Sequence, residues 1–255
     1  LRSTMPVWWT EEIGKMRVVI PEDEKKALTH YAYHIKAGKE IFAAEGAFGQ
    51  YLICFRDYPV AIGITAGASE YLAADICLKY IKEAVQIPCE KENLEEAQEK
   101  LEEKLVHLTL PKPEGDKKDT NEATKKLLNK RIVFTENPRQ IESAVISTVG
   151  EELKLELTVA GEKKILFAGY KDWKCNDMYP NDFTKRYHAV SYAFDEDALY
   201  LSVGLLNTSY REEYCLWVNS ENVVVGTWRP NVTYLPAEED MTWKFTGTFE
   251  PSCIL

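Results

Sequence analysis

Apolar and polar residues alternate with a period of two in many short segments of the chain, as expected of half-buried β-strands. In the first third of the sequence this pattern predicts four strands, at residues 31 to 35, 40 to 46, 50 to 56 and 60 to 66. Polar turns at Lys36 to Lys39 and at Arg56 to Pro59 separate them and predict hairpins. The last two strands are nearly continuous in apolar residues, which is typical of strands covered on both faces.

Two segments follow helical spacing instead. From Ser69, a predicted N-cap, apolar residues between Leu72 and Val85 recur on one stripe, so this helix is expected to lie across the sheet. A second helix starts with a capping box at Asn93, carries a leucine stripe among Glu and Lys, and ends before Pro111. The N-terminal region is less regular, and Pro21 to Glu24 is compatible with the start of a short helix.

The chain changes character after its helices. Pro111 to Asp119 is charged and interrupted by prolines, so it is expected to be an exposed linker. Beyond it the alternation predicts eight more strands, at residues 143–149, 152–159, 163–170, 188–194, 198–206, 212–218, 222–228 and 241–249. They favour an antiparallel meander, closed into a barrel or stacked as a sandwich. The predicted organisation is a domain at 1–110, a linker at 111–129 and a β-rich domain at 130–255.

Composition narrows the classes of function. The chain has 255 residues and a formal net charge of -10, and its basic residues are interleaved with acidic ones, which excludes a general nucleic-acid binder. No apolar run has the length of a membrane span, so a cytoplasmic protein is expected. Six cysteines are scattered singly, and His30 and His34 have no carboxylate or cysteine at ligand spacing. No metal site and no cofactor are therefore predicted.

One motif is specific: Glu45-Gly46-Ala47-Phe48-Gly49-Gln50-Tyr51, between the second and third predicted strands. With the strands and helix around it, the segment from 31 to 87 resembles the end of the catalytic domain in the penicillin-binding-protein and class C β-lactamase superfamily of serine hydrolases. The likeness continues at Leu110 to Gly115 and at Asn137-Pro138 in the β-rich half. The resemblance implies an α+β chain: a partial antiparallel sheet with a C-terminal helix from a transpeptidase-like domain, followed by an antiparallel β-barrel or sandwich.

The resemblance also implies a partial active site. The third motif of that superfamily is Lys-Thr-Gly or His-x-Gly on an inner strand, and Ala44-Glu45-Gly46 corresponds to it here. Gly46 would let substrate approach the strand, and the N–H of Ala47 would complete an oxyanion hole. Phe48, Gly49 and Gln50 would complete this substrate-binding segment.

The nucleophile of that superfamily is missing from the sequence. It is a serine with a lysine three positions later, where both side chains share one face of a helix, and no serine of this chain has that partner. The chain is therefore expected to be the C-terminal region of a serine hydrolase for esters, amides or peptides, with no catalytic residue of its own and no activity alone. The alternative is a non-enzymatic module in which the β-barrel binds a ligand or another protein.

Other candidate sites are weaker. A match to the superfamily's second motif, Tyr179-Pro180-Asn181, lies far downstream of its expected place. A different hydrolase built on His188 with Asp182 or Asp195 lacks a nucleophile at an elbow-type turn. Three strand aromatics are expected to fill the interior of the barrel rather than to bind carbohydrate: Trp217, Trp228 and Trp243.

The N-terminal sheet predicts a partner. Its strand at 50–56 is an inner strand in the superfamily, so this chain alone would expose an apolar edge and face. We expect a partner chain, or self-association, to complete the sheet. A small-molecule or peptide substrate would bind only in such a completed enzyme, and neither nucleic acid nor membrane is an expected partner.

Overall fold

The computed structural model describes most of the chain. The described residues are 7–15, 30–32, 35–68, 73–86, 94–113, 115, 124–176, 187–195, 197–206, 208–233 and 241–251. The chain forms two compact units, Leu1–Thr109 and Leu110–Leu255. The predicted helix start at Pro21 to Glu24, the N-caps Ser69 and Asn93, and the Tyr179-Pro180-Asn181 match lie outside the described residues.

In its described residues the first unit has three helices and a five-stranded antiparallel sheet. Its helices are α1 (Val7–Lys15), α2 (Ala73–Gln86) and α3 (Leu94–Val106). Its strands are β1 (His30–Ala32), β2 (Ile35–Ala37), β3 (Ile41–Gly46), β4 (Gln50–Phe55) and β5 (Ala61–Ile64), and they pair in sequence order. The sequence pattern assigned no element to residues 7–15, where helix α1 lies.

One face of this sheet is covered by α2. Ile41, Ile53 and Phe55 are buried on that face, and Leu78 and Ile81 of α2 pack against them. The predicted helix across the sheet is therefore present. Alternation places Leu52 of β4 on the opposite face, where it is 53% exposed. The described residues thus do not cover both faces of the sheet, although the apolar run had suggested it.

The predicted strand at 31–35 is wrong in detail. His30 pairs with Ala37 and Ala32 with Ile35, so the described residues of this segment form two antiparallel three-residue strands. Lys36, assigned to a turn, lies in β2, and its Nζ is 2.6 Å from the Glu45 carboxylate. Since both strands are very short, the period-two pattern could not separate them.

The second unit is a closed β-barrel. Its strands are β6 (Arg131–Phe134), β7 (Ile141–Val149), β8 (Glu152–Val159), β9 (Glu162–Tyr170), β10 (Lys174–Asn176), β11 (His188–Asp195), β12 (Ala198–Leu205), β13 (Arg211–Val218), β14 (Val224–Pro230) and β15 (Trp243–Phe249). The hydrogen-bonded order is β10-β11-β12-β13-β14-β15-β6-β7-β8-β9, and β9 also pairs with β11. That last pairing closes a nine-stranded ring outside which β10 lies, so a barrel forms rather than a sandwich.

The pairing that closes the barrel is short and parallel. It joins Gly169 to Ser191 and Tyr170 to Tyr192. Beside this pairing, the side chain of Asn176 makes the hydrogen bonds to β9 that a neighbouring strand would otherwise make. Its Oδ1 accepts from the N–H of Phe167 at 2.6 Å, and its Nδ2 donates to the carbonyl of Phe167 at 3.0 Å. These bonds satisfy backbone groups that would otherwise lack a partner.

The two ends of the barrel differ. A short 3₁₀-helix, Thr124–Leu127, precedes β6 and packs against β13. It covers the end at which β6 and β8 begin, because Leu127 is fully buried in the same core as Ile132 and Leu153. At the other end, where β7 begins and β8 finishes, the interior contains charged residues.

Candidate functional site

The motif predicted to bind substrate forms a hairpin turn. Gly46 ends β3 and pairs with Gln50, which begins β4, while Ala47, Phe48 and Gly49 make the turn between them. Phe48 and Gly49 both have positive φ angles, of 63° and 84°. Glycine is needed at the second of these positions because a side chain there would be strained.

Hydrogen bonds hold the segment that follows β5 beside this hairpin. The N–H of Ala68 donates to the carbonyl of Phe48 at 3.0 Å, and the Gln50 side-chain amide donates to the carbonyl of Ala66. These contacts link the turn to the segment after β5. They do not test the proposed oxyanion role of Ala47, which stays a prediction.

Of the two weaker candidate pairings of His188, the one with Asp195 does not form. His188 begins β11 and Asp195 ends it, so they lie at opposite ends of the strand. Asp182 is outside the described residues. Among the described residues, no group of three or more His, Cys, Asp or Glu side chains is placed to hold a metal ion. In the same part of the chain, no helix has the length and apolar character needed to cross a membrane.

The barrel interior contains a cavity of about 110 Å³ near the charged end. Its wall is mostly aliphatic and aromatic, and the main apolar side chains are those of Phe134, Ile146, Leu155, Leu157, Leu166 and Phe245. Ala144 lines it from β7, directly opposite Leu157 of β8. Five charged or titratable side chains also line it: Arg139, Lys164, His188, Glu212 and Tyr214.

Three of the lining residues form one polar cluster. An Nη2 atom of Arg139 lies 3.1 Å from one carboxylate oxygen of Glu212, and the Tyr214 hydroxyl donates to the other oxygen at 2.7 Å. Glu212 is only 6% exposed, whereas the Arg139 side chain is 37% exposed. The guanidinium also lies over the ring of Trp228, 5.8 Å from its centroid. The buried carboxylate is therefore compensated on both oxygens, as a buried charge requires.

Burial and charge hold Tyr214 and Arg139 of this cluster in their protonated states. Burial, assisted by the Glu212 carboxylate, raises the pKa of Tyr214 well above its ordinary value, so the phenol remains a donor. Burial alone would lower the pKa of Arg139. The Glu212 carboxylate and Tyr214 outweigh burial, so that pKa is raised and the guanidinium stays charged. The cluster is thus a neutral ion pair with a hydroxyl attached.

The loop carrying Arg139 is positioned by Asn137. The Asn137 Nδ2 donates to the carbonyls of Thr135 and Ile141, both at 2.9 Å, while its Oδ1 accepts from the N–H of Ile141 at 3.1 Å. The loop between β6 and β7 is closed by these bonds. Asn137 therefore acts as a positioning residue for the guanidinium.

The predicted aromatic core is confirmed for two of three tryptophans. Trp228 is buried, and its ring centroid lies 4.7 Å from that of Trp243. Tyr214 extends this row, since it pairs with Trp228 across β13 and β14. Trp217 stands on the other face of β13 from Leu216, because neighbouring residues of a strand point in opposite directions.

Sequence reasoning missed the polar cluster. The sequence did contain a signal for two of its residues. In the predicted strand at 212–218, Glu212 and Tyr214 alternate in step with Leu216, so all three are expected to face the barrel interior. A glutamate on the apolar face of a strand is unusual and needs a buried partner. No local signal identified Arg139, which comes from the turn after β6, a strand separated from β13 by β14 and β15 in the barrel order.

Comparisons with known proteins show little. No family model matches the chain, and no curated protein matches it. Among solved structures, the chain is similar to apo lipid binding protein 8 (LBP-8) of Caenorhabditis elegans, at 7% sequence identity and a TM-score of 0.39. That match covers 50% of this chain and 98% of the other. At this score the likeness carries no conclusion about ligand or activity.

Proposed function

We propose that the β-barrel unit is a ligand-binding module that encloses a small, largely apolar molecule. The observation that supports it best is the 110 Å³ cavity inside an otherwise packed barrel. Protein interiors contain few voids larger than a water molecule, so a space of this size is unusual in a core with no function. Binding sites for small molecules are typically apolar cavities with a few converging polar groups, which describes this one.

The cavity sets the size of the ligand. An engineered cavity of about 150 Å³ lined by Leu, Ile and Phe accommodates benzene. A cavity of about 110 Å³ with a similar wall suits a molecule with one ring or a short chain. Larger ligands would have to extend beyond the charged end of the barrel, past Arg139 and Lys164.

Toluene is a suitable first probe for this proposal. A ligand that binds only the folded state stabilises it by RT ln(1 + [L]/Kd), and the melting temperature rises accordingly. We expect toluene to raise the melting temperature of the wild-type barrel and to have no such effect on Ala144→Leu, whose larger side chain occupies the cavity. Ala61→Leu, at an exposed position of β5 in the other unit, is the control and should respond like the wild type. An equal response in all three proteins would contradict binding in the cavity.

The serine-hydrolase origin of the first unit remains a separate proposal. The hairpin at Gly46 to Gln50 supports it only as far as the motif itself does. In an enzyme completed by another chain, this hairpin would face the substrate. A fluorophosphonate probe tests the expected inactivity of this chain, because labelling of any of its serines would contradict it.

A further inference from the structure

We propose that the barrel cavity selects an uncharged ligand with a hydrogen-bond acceptor, such as a hydroxyl or carbonyl oxygen, and discriminates against ionised carboxylates. This inference rests on the proposed function, because it specifies the chemistry of the molecule that the cavity would hold. It is carried by the charge balance of the Arg139–Glu212 pair and by a buried donor of Arg139.

The charge balance disfavours an anion at the polar cluster. The Arg139 guanidinium already pairs with Glu212 at 3.1 Å. The Glu212 carboxylate is buried, so it cannot easily turn out to solvent to make room for another anion. A ligand carboxylate at Arg139 would therefore stand close to a second carboxylate. Like charges in a poorly solvated site repel strongly, and the ligand would also lose its own hydration.

A buried N–H group of the cavity wall favours an acceptor. The Nε of Arg139, which lines the cavity, is buried and has no hydrogen-bond partner among the described residues. The face of the Trp228 ring beneath the guanidinium offers this N–H no oxygen acceptor. A buried donor without an acceptor is costly, and a small adjustment of the Arg139 side chain would let a ligand oxygen pair with it. A hydroxyl or carbonyl oxygen supplies that acceptor without adding charge.

Lys164 offers an alternative binding site for an anionic ligand. It lines the cavity from β9, opposite Leu157, and remains partly accessible. If the site accepted anions, this second cation is where they would bind. A Lys164→Gln variant therefore distinguishes an anion held at the rim from a ligand held at the Arg139 cluster.

The decisive experiment compares three one-ring ligands: toluene, benzyl alcohol and benzoate. They have similar apolar parts, and benzoate is fully ionised at pH 7.5. Dissociation constants are measured by NMR titration of the full chain, using the methyl signals of the lining residues. We expect benzyl alcohol to bind more tightly than toluene and at least about tenfold more tightly than benzoate, in line with the cost of bringing an ion into an apolar site.

Glu212→Gln provides a gain-of-binding test. Removing the carboxylate leaves Arg139 without its counter-charge, so benzoate should bind at least about tenfold more tightly than to the wild type. Glu213→Gln is the matched control: the same substitution at the next residue of β13, on the outer face, where Glu213 pairs with Arg211 at 3.1 Å. It should leave all three dissociation constants unchanged.

The outcomes separate this inference from the proposed function. Wild-type preference for benzyl alcohol, unchanged in Lys164→Gln, supports the inference even if Glu212→Gln fails to fold. Benzoate binding as tightly as benzyl alcohol overturns the inference while keeping the ligand-binding function, and loss of that binding in Lys164→Gln would assign it to the rim. Absence of binding by all three ligands overturns the proposed function itself.

Discussion

Filling the barrel cavity should stabilise the protein, which is the reverse of what an added side chain does in a packed core. Ala144 is buried and lines the cavity from β7. Ala144→Leu adds carbon atoms that are worth up to about 2.4 kcal/mol in total, at about 0.8 kcal/mol for each buried methylene. Imperfect fit offsets part of this gain. We therefore expect a net stabilisation of about 1 kcal/mol, or roughly 4 °C in melting temperature for a unit of this size.

Ala168→Leu is the matched control for that experiment. Ala168 is fully buried in the same barrel interior, on β9, but it does not line the cavity. The same enlargement there should force its neighbours apart and cost about 1–3 kcal/mol. Urea unfolding monitored by tryptophan fluorescence measures both variants. If Ala144→Leu lost as much stability as Ala168→Leu, the cavity would not have the room described, and the ligand proposal would lose its basis.

Three further predictions concern the polar groups of the barrel. The raised pKa keeps the Tyr214 phenol protonated in the folded state, whereas the unfolded chain releases this proton near pH 10. Above about pH 10 the free energy of unfolding of the wild type should therefore fall more steeply than that of Tyr214→Phe, by up to about 1.4 kcal/mol per pH unit. Urea unfolding from pH 8 to pH 11 checks this, and parallel curves for the two proteins would refute it. Asn176→Ala should cost about 2–4 kcal/mol, since it leaves two backbone groups of Phe167 unpaired, and an unchanged urea midpoint would contradict that assignment. Asn137→Ala should release the loop of Arg139 and weaken benzyl alcohol binding severalfold in the NMR titration, whereas toluene binding should change little.

Many strands of the second unit could be predicted from its sequence, because a barrel strand is apolar mainly on its inner face and so shows a period of two. The strands predicted at 143–149, 152–159 and 198–206 agree with β7, β8 and β12 to within two residues at each end. β10 was missed because three residues are too few to show a period. β6 was missed because its four residues include a continuous apolar run, which does not distinguish strand from helix.

The cavity could not be predicted, because it depends on how distant strands close into a ring. Arg139 and Glu212 are far apart in sequence, and only the barrel order brings the turn after β6 to the start of β13. Alternation assigns Glu212 to the interior without naming its partner. The volume left between side chains is a property of their packing, which no local pattern records.

The short parallel pairing of β9 with β11, which closes the barrel, is the contact between neighbouring strands that should open most easily. Two residue pairs close the wall there, at Gly169 and Tyr170, whereas β8 and β9 are joined along seven. Cooperative openings begin where a structure has the fewest hydrogen bonds to break. Within the barrel, amide hydrogens at the β9–β11 pairing should therefore exchange with deuterium first. The barrel should open between these two strands before any of its antiparallel hairpins separates.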